Sequence, residues 1–295
     1  MRRILTAVVC LPILWAIIKL TSPLVWFLLV AVIVFLACWE LLSLLKAGGH
    51  RVYRLTGILG GLAVLIPFAN PDIDTALPVV AAGAVAIILG AVVARDFADA
   101  VDGALCTVFC VGFVGLSIGY QIALRSMSYG SGVEGGNWLG AVPLEWRFGT
   151  GPGDALGQDL LVLLFFVVWM GDSAAYFFGR TFGRTKLAPR VSPRKTVEGA
   201  VAGVAASAVA GWIASQWFFQ RLPPGHAVAI GIVLGMAGIV GDLTESVIKR
   251  AANVKDSASV LPGHGGILDR VDSLLLAAPA LYYYYRVFLA GALNG

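Results

Sequence analysis

Residues 246–272 read SVIKRAANVKDSASVLPGHGGILDRVD, a polar segment set between apolar runs at residues 226–248 and 273–292. Each run is long enough to cross roughly 30 Å of hydrocarbon as a helix, which takes about 20 apolar residues. The segment thus joins two membrane spans. Charged side chains at such a place cost free energy unless they have a partner or a task.

The rest of the chain repeats the pattern. Of its 295 residues, 59% are hydrophobic and only 13% charged, the balance of a chain that lives in a bilayer. Further apolar runs lie near residues 3–22, 24–45, 76–95, 104–123, 159–178 and 198–220, with a shorter one at 55–70. Together they predict an all-α, polytopic integral membrane protein of about nine transmembrane helices. The run at 76–95 is short and glycine-rich, and a re-entrant segment is the alternative there. The run at 3–22 follows Arg2 and Arg3 but lacks a small-residue cleavage site, so it reads as a retained first span.

Three parts follow from this pattern. Residues 1–123 form N-terminal membrane helices, and residues 124–158 a glycine-rich extracytoplasmic loop whose Trp138, Trp146 and Arg147 suit the membrane interface. Residues 159–295 hold the helices and cytoplasmic loops that carry chemistry. No internal repeat or separate soluble domain is evident.

Basic residues orient the chain. With nine spans and a cytoplasmic N-terminus, the inner loops hold Arg2 and Arg3, Lys46, Arg51 and Arg54, Arg95, the six from Arg180 to Lys195, and Lys249, Arg250, Lys255 and Arg270. Only Lys19, Arg125, Arg147, Arg221 and Arg286 remain, outside or near outer helix ends where long side chains snorkel. The net charge of +4 therefore gathers on one face, which suits anionic head groups and phosphates. No interleaving of aromatic and basic residues suggests a nucleic-acid partner. Cys10, Cys38, Cys106 and Cys110 fall inside apolar runs with no C-x-x-C spacing and no histidine beside them, and read as packing residues.

Polar clusters break the apolar pattern on the cytoplasmic side. Asp172 interrupts one run and shares a helical face with Tyr176 and Arg180. Asp242, Glu245, Ser246 and Lys249 draw one polar stripe down another helix, with acids at the carboxyl end that the macrodipole disfavours. Gly263, His264, Gly265 and Gly266 lead to Asp269, Arg270 and Asp272 at the start of the last run. Hard oxygen ligands with few histidines point to magnesium. Ser192-Pro193 before Arg194, Lys195 and Thr196 predicts a helix start with proline in its first turn, a seat for phosphate. Glu40, inside the second run, reads as a buried, hydrogen-bonded acid. Carboxylates for a metal and basic groups for phosphates, gathered at one membrane face, imply phosphoryl or nucleotidyl transfer to a membrane lipid.

At these residues the chain resembles the phosphatidate cytidylyltransferases, or CDP-diacylglycerol synthases. Their motif, S-x-φ-K-R-x4-K-D-x-[GSA]-x2-φ-[PGS]-x-H-G-G-φ-x-D-[RK]-φ-D, is met at Ser246, Lys249, Arg250, Lys255, Asp256, Ala258, Leu261, Pro262, His264, Gly265, Gly266, Asp269, Arg270 and Asp272. The resemblance covers roughly residues 165–292; the first half matches only in being apolar. It implies a phospholipid-biosynthetic transferase of the inner (plasma) membrane, with its site on the cytoplasmic side. The substrates would be CTP and phosphatidate, the products CDP-diacylglycerol and pyrophosphate. Mg2+, with a second cation such as K+, and a homodimer are implied as well.

In that reading Asp242 and Asp269 are the principal metal ligands, with Asp172 and Asp272 as helpers. Lys249, Arg250, Lys255, Arg270, Arg194, Lys195 and Thr196 take phosphates, with Gly265 and Gly266 in the loop, and Ser246 orients a phosphate oxygen. His264 is an acid, a hydrogen-bond donor or a brace of its own loop, and Asp256 is a brace. Two alternatives stand beside this. A CTP-dependent lipid kinase would use similar groups at the γ-phosphorus, and a cation or lipid transporter would also keep buried aspartates, though without the repeats such folds show.

Overall fold

A computed structural model describes residues 12–69, 97–127, 155–252 and 266–290, with positions 81, 83, 85 and 293. Residues 12–20 form helix α1. The next helix, α2 (Pro23–Ala47), starts at Ser22, whose hydroxyl accepts from the Val25 amide, with proline in its first turn. Then come α3 (Arg54–Ala63), α4 (Leu65–Phe68) and α5 (Phe97–Cys110), which passes through a π-helical stretch, Val111–Leu116, into α6 (Ser117–Arg125). The second half holds α7 (Ala155–Phe182), strands β1 (Lys186–Ala188) and β2 (Ser192–Thr196), and helices α8 (Val197–Trp217), α9 (Pro224–Ala251) and α10 (Leu268–Tyr284).

Five of the described stretches are helical, long and apolar enough to cross a membrane: Pro23–Ala47, Phe97–Arg125, Leu156–Phe182, Val197–Trp217 and Pro224–Ala251. Large apolar side chains point outward along them, among them Leu28, Phe177, Phe182, Trp217 and Met236. The chain is thus a helical membrane protein, and every predicted run within the described residues falls on a helix. The run at 76–95 and most of the 124–158 loop, with Trp138, Trp146 and Arg147, lie outside them.

Small residues let the helices of the second half meet closely, the packing mode that replaces hydrophobic driving force in lipid. Gly171 and Gly235 meet Ser207 of α8, Gly231 abuts the Ser207 carbonyl, and Gly241 abuts the Asp272 carbonyl of α10. Helices α7, α8, α9 and α10 thereby form one bundle. The first half docks onto it through Trp26, whose ring meets Phe165 of α7 edge-on with centroids 6.2 Å apart, and through the hydroxyls of Tyr120 and Tyr283, 2.7 Å apart.

The helical class holds, and beside the helices β1 and β2 form one short antiparallel hairpin pairing Lys186 with Thr196 and Ala188 with Ser192. Two expectations need correction. Pro193 lies in a strand, and α8 begins four residues later, where Thr196 Oγ1 caps the Gly199 amide at 3.2 Å. Arg125 does not snorkel. It is 1% exposed and donates through Nη2 to the Thr21 carbonyl at 3.0 Å, inside the protein.

Gly241→Val places a branched side chain against the Asp272 backbone and should destabilise the protein by about 1–3 kcal/mol. Gly225→Ala, which meets nothing within 4 Å, should shift stability by no more than about 0.5 kcal/mol. Thermal unfolding in detergent compares the two.

Candidate active site

The site is built where α7, α9, α10 and β2 converge. Asp242, one face of α9, pairs with Lys195 of β2 at 2.5 Å. Its other oxygen lies 3.5 Å from the Ser246 hydroxyl, one turn along the same helix. Carboxylate oxygens of Asp242, Glu245 and Asp272 lie within 4.8 Å of one another. Asp172 enters from α7, where it lines a small cavity with Gly171, Ala175, Gly203, Ser207 and Gly238. It stands near Ser273, Asp242 and Lys195. The close approach of Gly241 to the Asp272 backbone is what brings the two helices' carboxylates together.

A second group adjoins the first. Lys249 Nζ sits 2.6 Å from Glu245 and 2.5 Å from Asp269. Glu245 is the deepest acid of the set at 1% exposure, and its Oε1 is buried without a hydrogen-bond partner. A buried carboxylate oxygen left with open lone pairs, beside two further carboxylates, is a donor set that fits a hard divalent cation.

The β hairpin closes one side of the site. Glu198, in the first turn of α8, accepts from the amides of Arg184 and Thr185 at 3.1 and 3.0 Å and so ties the hairpin's entry to the helix start. Arg250 Nε donates to the Val191 carbonyl in the hairpin turn at 3.1 Å. Arg194, Arg250 and Arg270, next in sequence to Lys195, Lys249 and Asp269, are exposed.

The structure thus brings together Asp172, Asp242, Asp272, Ser246 and Lys195, and sets Lys249 and Asp269 beside them. Thr196 is buried and its hydroxyl is spent on the α8 cap. Gly266 is buried just before α10. Lys255, Asp256, His264 and Gly265 lie outside the described residues. Glu245 was not a predicted site residue. Its signal was its place between Asp242 and Lys249 on one polar stripe. Glu40 is fully buried, and its Oε2 accepts from the Leu268 amide at 3.1 Å, holding the start of α10.

A family model described as the cytidylyltransferase family matches residues 1–288. The chain is 44% identical over 133 residues to the phosphatidate cytidylyltransferase of Haemophilus influenzae, a match covering 44% of this chain and 46% of that protein. It is 45% identical over 136 residues to the phosphatidate cytidylyltransferase of Brucella suis and 33% identical over 135 residues to that of Bacillus subtilis, each match covering 46% of this chain and 50% of the relative. The matched part of the chain spans about half the length of these curated relatives.

Removing one partner of a buried ion pair leaves an uncompensated charge, at a cost of about 3–5 kcal/mol. Lys249→Met should lower the thermal midpoint in detergent with chelator present, and the double variant Lys249→Met/Glu245→Gln should recover at least half of the loss. An unchanged midpoint in Lys249→Met would show that the pair does not stabilise the fold.

Proposed function

Because the chain belongs to the cytidylyltransferase family, we propose that it transfers the cytidylyl group of CTP to phosphatidate, giving CDP-diacylglycerol and pyrophosphate. One observation carries the reading: carboxylates from three helices, Asp172, Asp242, Glu245 and Asp272, share one site with Lys195 and with the Lys249–Asp269 pair.

A phosphatidate phosphate oxygen forms a bond to the α-phosphorus of CTP while the bond from that phosphorus to the bridging oxygen breaks, and pyrophosphate leaves with the electron pair. Both reactants are anions, so alignment and charge neutralisation supply most of the rate enhancement. Lys195 and Lys249 reach the site already oriented by Asp242, Glu245 and Asp269. Arg194, Arg250 and Arg270 lie next in sequence to Lys195, Lys249 and Asp269, and Lys255, His264 and Gly265 belong to the same signature segment. The Ser246 hydroxyl, beside Asp242, is placed to orient a phosphate oxygen. Asp242, Glu245 and Asp272 would hold Mg2+, with Asp172 beside them, and the ion would neutralise the phosphates and polarise the reacting phosphorus. Asp269 holds Lys249 and stays the second carboxylate on which the proposal relies.

Nine spans, a cytoplasmic N-terminus, an inner-membrane location with the site on the cytoplasmic face, a homodimer and a second cation such as K+ complete the proposal. The family resemblance and the distribution of basic residues support them.

Purified protein in detergent with CTP, phosphatidate and Mg2+ should release pyrophosphate and form CDP-lipid, and Asp242→Asn and Asp269→Asn should each lower the rate by at least about 100-fold. Release of CDP with a phosphorylated lipid would instead assign a CTP-dependent lipid kinase. Folded wild type that binds CTP and forms neither product would overturn both.

A further inference from the structure

A second basic site stands apart from the carboxylate cluster. Lys46, His50, Arg51, Val52 and Arg54 line an open pocket between the end of α2 and the start of α3. Helix α2 is one of the membrane-length helices, so its end lies at the depth of lipid head groups.

The pocket is braced from behind. Asp102 of α5 accepts from His50 Nδ1 at 2.9 Å and from the Arg51 amide at 2.8 Å, and Asp99 pairs with Arg51 Nε at 2.8 Å. The guanidinium of Arg54 stacks 4.7 Å over the Trp39 ring and donates to Ser43 at 3.2 Å. Gly49, with φ at 93°, makes the turn out of α2 in the left-handed region that favours glycine. A loop that serves only to keep positive charge on one side of the membrane needs none of these braces.

Asp99 and Asp102 offset Arg51 and His50. Lys46 carries no ion-pair partner among the described residues, so the pocket keeps a net positive charge. Beside it Trp39, Leu55 and Leu59 expose large apolar surface. Fixed cations at head-group depth next to apolar side chains match a phosphate head group with its acyl chains. The end of α2 also packs on Ala252, where the signature segment leaves α9.

We propose that this pocket binds the head group of an anionic phospholipid, at a site that shares no residue with the proposed active site. Binding there is read without turnover, so its failure leaves the transferase reading untouched.

Protein from nanodiscs of equal phosphatidylglycerol and phosphatidylcholine is transferred to detergent and weighed by native mass spectrometry. Wild type should retain phosphatidylglycerol in preference to phosphatidylcholine. Lys46→Gln should weaken that retention about fivefold and Lys46→Gln/Arg54→Gln further, at about 1 kcal/mol per charge, while Lys46→Arg keeps it. Lys46 is exposed at a helix end, so the single variant tests the site even if the double variant misfolds. Equal retention in wild type and Lys46→Gln would overturn the proposal. So would displacement of the lipid by millimolar inorganic phosphate, which would give the pocket to the free anion.

Discussion

Mutual repulsion among carboxylates is the constraint on which the second half of this protein depends. Asp172, Asp242, Glu245 and Asp272 come from three helices, and Glu245, the deepest of them, is almost fully buried. Taking several like charges out of water is expensive, and the cost is met only by opposite charge and hydrogen bonds at close range. Lys195 and Lys249 supply part of it, at 2.5 and 2.6 Å from Asp242 and Glu245. The open Oε1 of Glu245 marks what they leave unmet. A bound divalent cation would remove that deficit, and the same charge would then serve two anionic substrates.

The architecture follows from holding those groups together. Glycines at 171, 231, 235 and 241 bring α7, α8, α9 and α10 within backbone contact, which sets the carboxylates near one another. The hairpin delivers Lys195 from outside the bundle, and the caps at Thr196 and Glu198 fix where the hairpin ends and α8 begins. Glu40 reaches across from the first half to the amide at the start of α10. A negative charge at a helix amino terminus is favoured by the macrodipole. The N-terminal helices thereby bear on where Asp269 and Asp272 stand.

Much of this could be read from residue order, because hydrophobic length and helical spacing are local properties. The spans, the stripe from Asp242 to Lys249 and the isolated Asp172 each announce themselves within one helix. What escaped reading depends on contacts between distant segments. The hairpin over Ser192–Thr196 was hidden because Ser-Pro followed by basic residues resembles a helix start, whereas pairing with Lys186–Ala188 decided the outcome. Lys195 could be read as a phosphate ligand, but its pairing with Asp242 depends on a contact between distant segments. Arg125 looked like a snorkelling side chain because its carbonyl partner, Thr21, is far away in sequence. His50 was not expected near a cysteine, yet His50, Asp102 and Cys106 gather within 4.8 Å.

If the Asp242–Glu245–Asp272 cluster is a cation site, the purified protein binds a divalent ion there. The most direct test is a manganese titration of the purified protein, read by the loss of the free-ion paramagnetic resonance signal. Manganese should bind and be displaced by magnesium, with affinity at least about tenfold lower in Asp242→Asn and in Asp272→Asn and unchanged in Tyr176→Phe. Wild type that takes up no manganese, or aspartate variants that bind it as tightly as wild type, would contradict the cation site.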